Sequence, residues 1–213
     1  MNKNGKKMRF LITAGGTREY LDPVRYITNA SSGRMGYALA AAAMKAGHSV
    51  TLISAPTSLV PPTGAEVVSV VSAGDMFKAV KKHFKTCDGL IMAAAVSDYT
   101  PVHTAKVKRK KEKKVLTLKL KPTEDILAWA GRHKKGQFVV GFALEDRNLK
   151  RNAENKLISK NADMIVANSP AAIGADSSRV LLKTPQGSWI EIAGDKAKTA
   201  RAIIRHVTSL ILR

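Results

Sequence analysis

Aromatic residues make up only 5% of the 213-residue chain, cysteine occurs once, and acid is scarce, with 16 Asp+Glu against 36 Lys+Arg. No apolar run reaches the roughly 18 residues that a membrane-spanning helix needs. Each shortage excludes something. With Cys87 as the sole cysteine there is no internal disulfide, and a lone thiol makes no structural zinc site. His48, His83, His103, His133 and His206 show no metal-ligand spacing, so no metal-ligating residue is expected. Few aromatics argue against a stacking platform for single-stranded nucleic acid. They also mean that the 45% hydrophobic content is mainly Val, Ile, Leu and Ala, as in parallel strands covered by helices. The opening MNKNGKKMRF lacks the apolar core of a secretory signal, which gives a cytoplasmic expectation with no membrane partner.

The scarcity of acid leaves a net charge of +20. The run KVKRKKEKK from Lys106 to Lys114 carries too little of that excess to explain it, so the basicity is global. Such a field attracts polyanions, whether nucleic acid or small phosphorylated metabolites, and a solvated lysine surface is the plain alternative.

At about 100–200 residues per domain, the length predicts one domain over 1–213, with a flexible 1–7 and a basic flap at about 103–114. Strand and helix signals alternate. Met8 to Ala14 reads as a strand, Met35 to Ala46 as a helix closed by Gly47, and Ser49 to Ser54 and Glu66 to Val71 as strands. Ser72 and Asp75 cap a helix from Ala73 to Lys85, and Gly89 to Ala94 is the next strand. Tyr99 to Lys114 has little periodicity, and the alternation after it predicts a half-exposed strand from Val115 to Leu120. The pattern resumes with a helix Glu124 to Arg132, a strand Phe138 to Ala143, a helix Leu149 to Lys160 and a strand Met164 to Ala167. Arg179 to Lys183 and Trp189 to Ile192 form a hairpin, and Lys196 to Leu212 a closing amphipathic helix. The fold class is α/β: a Rossmann-like, mainly parallel sheet with helices on both faces, plus the flap and the C-terminal hairpin.

Candidate functional residues fall where these strands end, the place at which open α/β sheets take ligands. The turns Gly15-Gly16-Thr17 and Ser31-Ser32-Gly33 offer backbone amides to an anion, yet they match neither the G-x-G-x-x-G fingerprint nor a P-loop. Asn29, the run from Met92 to Asp98, the lysine flap, Gly141-Phe142-Ala143 and the pair Lys156 and Lys160 could converge with them. The two lysines stand one helical turn apart, so both ammonium groups can face one phosphate chain.

The segments ITAGGTRE, DPVRYITNASSGRMG, AAAVSDY, KVKR, VVGFALE and NKLISKNADMIVAN together resemble phosphopantothenate-cysteine ligase, from about Met8 to Asn168. That resemblance implies a reaction in which the carboxylate of 4'-phosphopantothenate attacks the α-phosphate of CTP, or of ATP, and the amine of L-cysteine then displaces the nucleotide from the acyl-nucleotide. It implies Lys106 as the catalytic lysine of the first step and Asn29 as the residue holding the acyl carbonyl in the second. It further implies nucleotide contacts at Met92, Ala93, Ala94, Asp98, Phe142, Lys156 and Lys160 and along Glu124, Asp125, Ile126 and Leu127, with Met35 and Gly36 in the helix start after Gly33. Mg2+ would come with the triphosphate. A homodimer is implied, as is a flavin-dependent phosphopantothenoylcysteine decarboxylase as a separate partner, for which this sequence has no room. Where the family commonly shows Asn-Pro-Asp-Ile, this chain has Thr123-Glu124-Asp125-Ile126, which leaves the choice between CTP and ATP open.

Two other readings stay in view. A Rossmann-type NAD(P)-dependent oxidoreductase would need a glycine fingerprint and a Tyr-x-x-x-Lys pair, neither found in place. A basic nucleic-acid-binding module is suggested by the charge, but no reader motif accompanies it.

Overall fold

A computed structural model describes residues 6–111, 113–172 and 177–213. The expected flexible segment 1–7 therefore lies mostly outside the described residues, as does Glu112 of the flap.

Six parallel strands form the centre: β1 (Arg9–Ala14), β4 (Ser49–Ser54), β5 (Glu66–Ser69), β6 (Gly89–Met92), β9 (Phe138–Leu144) and β10 (Met164–Asn168). Two antiparallel strands, β11 (Ser177–Lys183) and β12 (Ile190–Asp195), extend the sheet beyond β10. The order is β12-β11-β10-β9-β6-β1-β4-β5. Chain progression reverses at β1, with β4 on one side and β6 on the other, and a crevice opens at such a switch point.

Strand alternation sends residues to two separate cores. Phe10, Ile12, Leu52, Ile91 and Val166 pack under α1 (Arg34–Lys45) and α5 (Lys196–Ile211), against Leu39, Ala43, Ile203 and Val207. Leu11, Ile53, Leu90 and Ile165 meet α2 (Ala73–Phe84), α3 (Ile126–His133) and α4 (Leu149–Ser159) through Met76, Phe84, Leu127 and Leu157. Burial of both faces explains the continuous apolar strands read from the sequence. The Ser72 and Asp75 side chains cap α2 reciprocally, as their spacing predicts. Cys87 is buried, and burial pushes its thiol up to about 12, which makes it an inert packing group.

Two short ribbons stand apart from the main sheet: β2 (Arg18–Tyr20) with β3 (Tyr26–Thr28), and β7 (Tyr99–Pro101) with β8 (Leu120–Pro122). The sequence reading misses the first ribbon, because strands this short carry no periodicity. It also misplaces the second. Only Leu120 of the expected strand Val115 to Leu120 lies in β8, which pairs with β7 inside the flap region read as irregular. The alternating Leu116, Leu118 and Leu120 are exposed, and β7 is too short to pair with more of them. Helix α3 begins after Asp125 rather than at Glu124, since the Asp125 side chain accepts from the Ala128 amide and serves as N-cap.

Candidate active site

A cleft of about 740 Å³ opens at the switch point. Its walls are the segment from Asn29 to Met35, the end of β6 and the chain after it through Asp98, the approach to α3 from Thr123 to Leu127, Phe142 on β9, and Lys156 and Lys160 on α4.

Helix α1 supplies the first wall. Gly33 occupies its N-cap position with φ of 75° and, lacking a side chain, does not itself cap the first turn, while its own amide donates to the Ser31 hydroxyl at 3.3 Å; this N-terminus faces the cleft. A residue with a Cβ would be strained at that φ. One turn on, Gly36 lets the helix meet β1, since a Cβ there would lie 2.5 Å from the Ala14 Cβ.

Asn29 follows β3. Its Nδ2 donates to the Val96 carbonyl at 3.1 Å, which joins two segments remote in sequence and fixes the direction of the amide. An amide nitrogen carries two hydrogens, so one remains for a ligand.

Beneath this wall, Gly15, Gly16 and Thr17 work as lacing. The Gly15 carbonyl accepts from the Ala95 amide at 2.8 Å, the Thr17 amide donates to the Ala95 carbonyl at 3.2 Å, and Gly16 bridges Ala95. The buried Thr17 hydroxyl accepts from the Ser97 amide at 2.9 Å. These contacts fix the run from Ala93 to Ser97 in the irregular path it needs once β6 ends.

Lysines dominate the far wall. Lys156 Nζ donates to the Phe142 carbonyl at 2.8 Å. Burial holds this lysine below its ordinary range, partly offset by the charges of Glu145, Asp125 and Asp98. Lys160 pairs with Asp125 at 2.7 Å. Burial works to raise the Asp125 carboxyl, but Lys160, the Ala128 amide and Lys156 outweigh it and hold it below the usual carboxylate range. Sharing one helix face thus does not send both ammonium groups to one target: Lys156 faces a carbonyl and Lys160 an acid.

Of the residues expected from sequence, Asn29, Ser31, Ser32, Gly33, Met35, Met92, Ala93, Ala94, Asp98, Glu124, Asp125, Ile126, Leu127, Phe142, Lys156 and Lys160 line the cleft. Gly15, Gly16, Thr17 and Gly36 do not; they sit behind the lining and shape it. Lys106 does not line it either. It is exposed on the loop 102–111, whose neighbouring Ala105 amide donates to the Leu21 carbonyl at 2.9 Å.

Sequence reasoning overlooks Arg34, Leu144, Asn168 and Lys196, all part of the lining, and names Thr123 only as a departure from the family pattern. Thr123 had a usable signal in its place just before Glu124; its hydroxyl donates to the Ser97 carbonyl at 2.6 Å and joins two walls. Lys196 had none, because the hairpin brings it to the cleft from far along the chain. Among the described residues, no group of three His, Cys, Asp or Glu side chains is placed to hold a metal ion.

The family model of the DNA/pantothenate metabolism flavoprotein C-terminal domain matches residues 5–211. The chain is 50% identical over 187 residues to the coenzyme A biosynthesis bifunctional protein CoaBC of Bacillus subtilis (strain 168), a match covering 85% of this chain and 46% of that protein. It is 43% identical over 216 residues to a cysteine/cysteine sulfinic acid decarboxylase from an unknown prokaryotic organism, covering 98% of this chain and 59% of that one. Among solved structures, the C-terminal domain of coenzyme A biosynthesis bifunctional protein CoaBC superposes with a TM-score of 0.82 at 40% identity, covering 96% of each chain. The chain thus spans about half the length of the curated relatives it matches.

Proposed function

The chain belongs to the DNA/pantothenate metabolism flavoprotein C-terminal domain family, and from that premise we propose that it joins 4'-phosphopantothenate to L-cysteine in coenzyme A biosynthesis through an acyl-nucleotide. The observation that carries the reading is the convergence of the α1 N-terminus, Asn29 and the lysines Lys156 and Lys160 on a single cleft.

A free carboxylate is a poor acylating agent. In the first step its oxygen bonds to the α-phosphorus of the nucleotide and the bond to the bridging oxygen breaks, releasing pyrophosphate. The amine of cysteine then bonds to the activated carbonyl carbon, the nucleoside monophosphate leaves, and the ammonium proton passes to solvent. The protein's part is positioning and charge compensation. The α1 amides with Arg34, Lys156 and Lys160 meet the phosphates, and Lys106 from the adjoining loop stabilises charge at the α-phosphate. The free hydrogen of the Asn29 amide holds the acyl carbonyl while the amine attacks.

CTP is the proposed nucleotide, ahead of ATP. Magnesium enters this proposal as a cation carried in by the triphosphate: among the described residues no three acids group to hold it, and Asp125 is already held by Lys160 and by the cap it makes. The homodimer and a flavin-dependent decarboxylase that takes the product belong to the same proposal.

Purified protein given phosphopantothenate, Mg2+ and CTP should release pyrophosphate, and Asn29→Ala should still release it while accumulating acyl-nucleotide. No release with either CTP or ATP rejects the reading.

A further inference from the structure

The turn between β2 and β3 holds a fully buried carboxylate that the reaction described above does not use. Asp22 is 0% exposed, and its two oxygens have different work. Oδ1 accepts from the amides of Val24 and Arg25, each at 2.9 Å, and so builds the turn. Oδ2 accepts from Arg25 Nε at 2.9 Å and Nη2 at 2.5 Å, and from the backbone amide of Arg109 at 3.2 Å, 87 positions along the chain. Arg25 Nη2 completes the loop contact by donating to the Arg109 carbonyl at 2.7 Å. Among the described residues, Arg109 is therefore gripped by its peptide groups. On the other side of Lys106, the Ala105 amide donates to the Leu21 carbonyl at 2.9 Å and the Thr104 hydroxyl to the Tyr20 carbonyl at 2.9 Å. Lys106 thus stands on a short stretch pinned at both ends to the ribbon that leads into Asn29.

We infer that Asp22 is a positioning residue: through Oδ2 and the Arg25 guanidinium it holds the peptide of Arg109 and sets where the Lys106 loop stands relative to Asn29. What the loop does there rests on the ligase reading; that it is held this way does not. The charge matters because every group facing Oδ2 is a donor. An asparagine would keep the Val24 and Arg25 contacts through its oxygen but turn its NH2 toward the guanidinium and the Arg109 amide, donor against donor. Asp22→Asn should leave the turn standing and free the loop.

The test is hydrogen exchange on the full chain, read amide by amide, with the two half-reactions measured beside it. In Asp22→Asn the Arg109 and Ala105 amides should exchange roughly ten- to hundredfold faster, the range expected when a hydrogen bond to a charged group is lost. The amides of β1 should keep their rates. Pyrophosphate release should fall by a similar factor, while cysteine capture from pre-formed acyl-nucleotide changes less than about threefold, because that step relies on Asn29 and not on a lysine from the loop.

Arg109→Pro removes the amide donated to Oδ2, together with the side chain that Arg109→Ala also removes, and should reproduce the faster exchange at Ala105. Arg109→Ala keeps both peptide contacts and should retain wild-type protection. Should Asp22→Asn fail to fold, that Pro and Ala pair decides the matter alone. Unchanged loop exchange in Asp22→Asn, an equal fall of both half-reactions, or identical behaviour of Arg109→Pro and Arg109→Ala would overturn the assignment. A wild-type protein that releases no pyrophosphate would sink the ligase reading and leave the exchange results to judge the clamp.

Discussion

At the floor of the cleft, Met92 and Phe142 lie on adjacent parallel strands whose next residues inward, Ile91 and Gly141, are buried, and helix α1 meets β1 closely enough to demand glycine at position 36. The loop 102–111 buries almost nothing. Its side chains are nearly all exposed, and its path is set by hydrogen bonds from Ala105, Thr104 and Arg109 to the ribbon turn. One region is placed by packing, which tolerates little change of volume. The other is placed by a few directional polar contacts, which depend on particular peptide groups and on the Thr104 hydroxyl and tolerate most other side-chain changes.

That contrast predicts opposite signatures for substitutions on the two sides. The largest effect belongs to the loop and should appear only in the chemistry. Lys106→Ala is expected to slow pyrophosphate release about 10²–10³-fold, the usual cost of losing one donor aimed at developing charge. Its urea midpoint should stay at the wild-type value, and a shifted midpoint would mean that the loop is part of the packed body after all. Gly36→Val is the reverse experiment. Its added atoms meet the Ala14 backbone and Cβ, so urea unfolding should show a loss of about 1–3 kcal/mol. Unaltered stability would show that α1 can lift from β1, and the floor would then be as adjustable as the loop.

Asp125→Ala falls between these two, since Asp125 is both a cap and a cleft residue. Removing the cap of α3 should cost about 0.5–2 kcal/mol in urea unfolding and leave Lys160 without its acid. An intact stability would mean that the ion pair with Lys160, rather than the cap, is the main business of this side chain.

The smallest effect comes from the buried His48, whose Nδ1 accepts from the Met8 amide and whose Nε2 meets the Thr208 hydroxyl. Burial lowers its proton affinity, and burial with the nearby Arg213 charge does the same to His206. In the unfolded chain a histidine titrates near the ordinary value of about 6.5, so as pH falls the unfolded state takes up the proton first. Stability should therefore be flat above that pH and decline below it. Urea midpoints at about pH 7.5 and pH 5.5 should differ in wild type and differ less in His48→Gln. Equal midpoints in wild type would show that packing around His48 yields to a charge.

The same division explains what could be read from the chain alone. The strands β1, β4, β6, β9 and β10 are apolar on both faces, α2 announces its start through Ser72 and Asp75, and Gly47 marks the end of α1, so local chemistry predicts the sheet and its helices. It also predicts that ligand-facing groups lie at strand ends, and most of those named do line the cleft. What it misses are contacts whose partners are remote. Nothing near Lys156 indicates that its ammonium meets the Phe142 carbonyl, and nothing near Asp22 points to Arg109. The alternation from Val115 to Leu120 predicts a strand because periodicity records which face a residue would occupy, and not whether another strand is there to pair with it. Gly15 is expected at the ligand because small residues at a strand end suit an anion, and Gly36 because the resemblance implies it, but in both the smallness serves close packing behind the wall.

The tether from Asn29 to the Val96 carbonyl has one more consequence. An untethered carboxamide can rotate by half a turn and show a visitor its oxygen as readily as its nitrogen. Here rotation would press one carbonyl oxygen against another, so the side chain is polarised like a magnet with a pinned pole. An electron-rich group arriving from the cleft meets hydrogen every time, without first waiting for the amide to turn.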